Sequence, residues 1–191
     1  MGKGRMEAFS DGVLAIIITI MVLELKIPHG ERLEALVPLI PVFLSYVLSF
    51  VYIGIYWNNH HHLLQAVRRV NGNVLWANLH LLFWLSLIPF VTGWTGENKF
   101  AALPVALYGG VLLLAAIAYH ILTRVLIASE GRDSALAVAM GRDWKGKISV
   151  VIYAIAIPLA FLAPWLALLL YVAIAVLWLI PDRRIEKALT S

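Results

Sequence analysis

Six apolar stretches, each near the length needed to cross a lipid bilayer, dominate the chain and leave room for few other folds. Crossing a hydrocarbon layer of about 30 Å takes roughly 20 helical residues, since each residue rises about 1.5 Å and every backbone polar group must be paired within the segment. The stretches cover residues 6–27, 36–59, 74–95, 103–128, 148–162 and 165–180. The last two are short and joined only by Ala163 and Pro164, which predicts a tight helical hairpin rather than one helix broken at proline. Of the 191 residues, 62% are hydrophobic and 14% charged, more apolar surface than one soluble core can hide. The expected fold class is an all-α integral membrane protein, one domain of six transmembrane helices over residues 1–191.

Loop Lys and Arg residues set the expected orientation. One side carries Lys3, Arg5, Arg68, Arg69, Arg124, Arg132, Arg142, Lys145, Lys147, Arg183, Arg184 and Lys187; the other carries Lys26, Arg32 and Lys99. This split of 12 to 3 puts both termini in the cytoplasm. Lys3 and Arg5 ahead of an apolar run are also compatible with a secretory leader. However, Glu7, Asp11 and Glu24 interrupt that run and no small-residue cleavage site precedes Pro28, so a retained helix is expected. Trp94, Trp144 and Trp165 fall near helix ends, where indoles favour the headgroup layer. The loop 129–146 is long enough for a short interfacial helix. A net charge of +4 with no basic patch gives no footprint for nucleic acid. Without cysteine there is no disulfide, thiolate metal site or Cys nucleophile, and no cofactor or metal is expected.

The first helix is unusual because Arg5, Glu7, Ser10, Asp11, Thr19, Glu24 and Lys26 interrupt it. A carboxylate inside a bilayer costs a few kcal/mol, so Asp11 needs a partner, a proton or water, and Arg5 is the nearest candidate partner. A second reading puts Arg5 to Asp11 in the headgroup zone, where carboxylates suit the start of a helix. At about 100° per residue, Gly12, Ile16, Thr19, Leu23 and Lys26 share a stripe about 80° wide, with Asp11 roughly 100° to one side. Such a stripe is compatible with lining a narrow conduit. On periodicity alone it also fits a helix–helix contact, which is its commoner use.

The run Arg5-Met6-Glu7-Ala8-Phe9-Ser10-Asp11 has the form R-x-x-x-F-S-D and leads into Gly12 to Thr19, with Leu23 to Pro28 at the exit. This resembles the signature first helix of the transmembrane-protein-175 family of potassium channels, specifically prokaryotic members with one six-helix repeat. Trp57 to His61 on the second helix resemble the same family, as do Asn78-Leu79 and Ile88-Pro89-Phe90 on the third. The likeness covers helices one to three closely and the rest by helix count. It implies a homotetramer in a prokaryotic plasma membrane, with the first helix of each subunit lining a central pore that leaks potassium. Residue by residue, it implies a hydrophobic constriction at Ile16, a hydroxyl at Thr19 and an outer apolar position at Leu23, all on the stripe that also holds Gly12. No T-V-G-Y-G filter loop is present.

Buried polar groups in a bundle must be satisfied, which makes Trp57, His61 and Asn78 the expected partners of Arg5, Ser10 and Asp11, beside Phe9 of the motif. The resemblance implies a structural network there, behind the pore helix. The run His60-His61-His62 also suggests a metal, but successive helical residues point about 100° apart and cannot all face one ion. Two other functions compete with the channel. An ion- or proton-coupled carrier would use Asp11 and Glu24 yet should show internal repeats or broken helices in both halves. An enzyme would need convergent catalytic groups, and only the histidine run offers any.

Overall fold

A computed structural model of the chain describes residues 2–68, 70–131, 134, 136–137 and 143–179. Arg69, Arg132, Arg142, Ile180, Arg183, Arg184, Lys187 and most of the predicted interfacial helix within 129–146 lie outside them. The described residues form helices and no strand. In order these are α1 (Lys3–Leu23), a 3-10 segment (Leu33–Leu39), α2 (Ile40–Gln65), α3 (Gly72–Ser86), α4 (Ile88–Glu97), α5 (Ala102–Glu130), α6 (Trp144–Leu162) and α7 (Pro164–Leu179). Five runs are long and apolar enough to cross a membrane, with α3 and α4 counted as one and the 3-10 segment counted with α2. The sixth, α7, is apolar but shorter, at 16 residues. The chain is an all-α membrane protein.

Several helix limits differ from the sequence expectation, each for a local reason. α1 stops at Leu23 instead of residue 27, because Pro28 disfavours helical geometry at Ile27 and the segment then turns through Gly30, whose φ of 132° glycine adopts without strain. α2 begins at Ile40, after Pro38 and with Pro41 in its first turn, where a missing N–H costs nothing. It continues past residue 59 to Gln65 and so carries all three consecutive histidines. The expected third helix is split at Leu87, since Pro89 has no N–H to offer the Leu85 carbonyl. The hairpin at Ala163 and Pro164 is present, with Pro164 opening α7.

The packed centre lies among α2, α5, α6 and α7. Tyr52, Tyr108, Tyr153 and Tyr171 are buried there, and each hydroxyl is satisfied. Tyr52 donates to the Tyr171 carbonyl at 2.6 Å, Tyr153 to the Tyr52 hydroxyl at 3.1 Å and Tyr171 to the Val105 carbonyl at 3.2 Å. The Tyr108 hydroxyl pairs with Ser49 at 2.8 Å, and Ser49 with Thr92 at 2.6 Å. In a bilayer no water is available for such groups, so they must find one another. Two close approaches depend on glycine: the Tyr171 hydroxyl occupies the space a Cβ on Gly109 would need, and Val42 and Ser45 of α2 do the same at Gly96 of α4.

Candidate functional site

α1 lies at the edge of the bundle and touches α2, α3 and α4. Its inward face is Met6, Ser10, Leu14, Ile17 and Met21, all buried. The opposite face carries the stripe: Ile16 is 60% exposed, Leu23 is 76% exposed, and Gly12 and Thr19 are exposed with them. Within 4 Å of a Cβ built on Gly12 there is nothing. The Thr19 hydroxyl donates to the Ala15 carbonyl at 2.9 Å. That bond uses its proton and leaves oxygen lone pairs free to meet a cation.

The inward face is tied down by a chain of directed hydrogen bonds. Ser10 donates to the Met6 carbonyl at 2.9 Å and accepts from Asn78 Nδ2 at 2.9 Å. Asn78 Oδ1 lies 2.7 Å from His60 Nε2, and because that oxygen can only accept, the imidazole is the donor. Ser10, Asn78 and His60 are all buried. Beside this chain, Trp57 Nε1 donates to Asp11 Oδ1 at 3.1 Å on the exposed flank of the bundle.

The structure therefore brings Ser10, Asn78, Asp11 and Trp57 together but corrects two expected partners. The inward histidine is His60, not His61. His61 is exposed, stacks on Trp57 with ring centroids 6.3 Å apart, and meets Gln65 at 2.9 Å. The buried positions Ser45, Ser49, Tyr52 and Ile53 continue at helical spacing through Tyr56 to His60, a signal the sequence reading missed. Arg5 makes no ion pair with Asp11: six residues along a helix turn the two side chains about 120° apart, and Arg5 is exposed beside Phe9, Leu75 and Leu79. The ion pair in that turn is Lys3 with Glu7 at 3.8 Å.

Beyond the C-terminal end of α1, Lys26 Nζ meets Glu97 Oε1 at 2.5 Å, joining the segment after α1 to the last residue of α4. The Glu97 carboxylate raises the Lys26 pKa above its ordinary value, first by the hydrogen bond and then by charge. Among the described residues no three His, Asp or Glu side chains converge as metal ligands would.

Residues 5–89, which contain Ser10, Asp11, Trp57, His60 and Asn78, match the family described as endosomal/lysosomal potassium channel TMEM175. A potassium channel of Chryseobacterium sp. (strain P1-3) is 57% identical over 189 residues, covering 99% of this chain and 98% of that protein. A potassium channel of Chamaesiphon minutus is 31% identical over 178 residues, 86% of this chain and 87% of that one. The crystal structure of a lysosomal potassium-selective channel TMEM175 homolog from the same organism superposes with a TM-score of 0.80 at 30% identity, covering 94% of this chain and 97% of that one. Together with the helical membrane fold, these matches define the class as an ion channel. The chain belongs to the TMEM175 family of potassium channels.

Proposed function

We propose that four copies of the chain assemble around their α1 helices and pass potassium as a leak channel, needing no cofactor. The observation that carries this reading is the two-sidedness of α1. Its Ser10 face is tethered to α2 and α3, while Gly12, Ile16, Thr19 and Leu23 face away from the subunit's own bundle. An apolar ring of Ile16 side chains would close by dewetting and open with a small rotation. Four Thr19 oxygens just beyond it would hold a partly hydrated ion, and potassium gives up water more cheaply than sodium. The loop charges support cytoplasmic termini, and the relatives named potassium channels support a plasma-membrane location in a prokaryote.

The test is reconstitution of the purified protein in liposomes under opposing potassium and sodium gradients. A reversal potential near the potassium value is expected. Substrate-saturable flux without current would instead identify a carrier.

A further inference from the structure

In the proposed tetramer the outer rim of the pore is formed by the residues just beyond Leu23. Lys26 follows the end of α1 at Leu23. At that place four Lys26 ammonium groups offset by Glu24 alone would leave the rim with no net charge to draw a cation. Instead each Lys26 is drawn to Glu97 at the end of α4. The two side chains are 74% and 50% exposed, so the pair adds little to stability. Its consequence is electrostatic. Glu24, Lys26 and Glu97 together carry −1 per subunit, and without Glu97 they carry none. They border a hollow of about 790 Å³ whose other walls include Leu36, Pro38, Ile40 and Phe43. Low-dielectric walls of this kind focus the field of nearby charges. Elsewhere on this side Glu31 and Glu34 oppose Arg32 and Lys99, and His29 is the remaining titratable group.

We infer that Glu97 determines how readily potassium reaches the outer mouth: it cancels and restrains the Lys26 ammonium, so that Glu24 leaves the rim net negative. This rests on the tetrameric pore proposed above and assigns the charge at its outer end to a residue outside α1.

Whole-cell recording of Glu97→Gln against the parent tests it, with potassium low outside and ionic strength varied by sucrose replacement. Current carried inward should fall on the order of threefold at about 0.1 M salt, more at about 0.01 M, and recover near 1 M, where charges are screened within about 3 Å. Outward current should change less. The double variant Lys26→Gln/Glu97→Gln keeps the net charge of −1 while deleting the pair, so it should regain parental inward current. An unchanged Glu97→Gln at low salt overturns the inference, and so does a double variant that stays as low as the single one, which would make the pair a mechanical latch. A parent that passes no potassium current brings down the pore reading itself. A conducting parent with an indifferent Glu97→Gln brings down this inference alone.

Discussion

The junction of α1 with α2 and α3 and the tyrosine centre among α2, α5, α6 and α7 solve the same problem, polar groups inside a bilayer, in different ways. At the first junction unlike groups pair in one direction only: hydroxyl, amide and imidazole in series from Ser10 through Asn78 to His60. At the second, tyrosine hydroxyls cross-link the helices, and Gly109 leaves the room that the Tyr171 hydroxyl occupies. The first arrangement fixes the azimuth of a helix whose other face is exposed among the described residues. The second holds a bundle shut. α1 therefore takes its orientation from directional bonds, and in the proposed tetramer its outward face would be covered by neighbouring copies.

The contrast predicts unequal responses to small changes. Gly109→Leu should cost about 3 kcal/mol in thermal unfolding in detergent, because Tyr171 must leave its place and overpacked cores repack poorly. Gly12→Ala meets open space and should leave subunit unfolding within about 0.5 kcal/mol of the parent. Equal losses at the two glycines would erase the distinction between a closed centre and an open outer face.

His60→Ala should cost about 2 kcal/mol, since it strands a buried Asn78 oxygen and empties the space behind it. His61→Ala should cost under about 0.5 kcal/mol, because that ring is exposed and its loss leaves the Trp57 bond to Asp11 in place. The reverse order in thermal unfolding would return the inward position to His61.

The smallest effect is expected at Thr19→Val, which keeps the shape and deletes the oxygen. Current should persist while the potassium-to-sodium permeability ratio falls about twofold to tenfold, the scale of one modest polar contact. An unchanged ratio would mean that the hydroxyl serves only the Ala15 carbonyl of its own helix.

Much of this organisation was legible in the chain because hydrophobic length and helical spacing are local properties. The six apolar runs, the hairpin at Pro164 and the exposed Gly12/Ile16/Thr19/Leu23 stripe follow from them. What escaped depends on which face a helix turns inward or on pairing across distance. A choice between His60 and His61 needs the azimuth of α2, which the Tyr52 and Ile53 positions reveal only once the inward face is traced along the whole helix. Arg5 looked like a partner for Asp11 because charge is easy to read and angle is not. The break at Leu87 was hidden by unbroken hydrophobicity on either side of Pro89. The Lys26–Glu97 pair spans 71 positions, and the tyrosine centre draws on four helices, so neither leaves a local trace.

The central claim is that the outward face of α1 meets water along an ion path. Because the chain contains no cysteine, single variants at Leu23, Thr19 and Ile17 give clean reporters. A membrane-impermeant cationic thiol reagent applied from outside during potassium recording should block Leu23→Cys quickly and Thr19→Cys more slowly, and leave Ile17→Cys, on the buried face, untouched. Block at Ile17→Cys with none at Leu23→Cys or Thr19→Cys would contradict the claim and move the pathway to the other side of the helix.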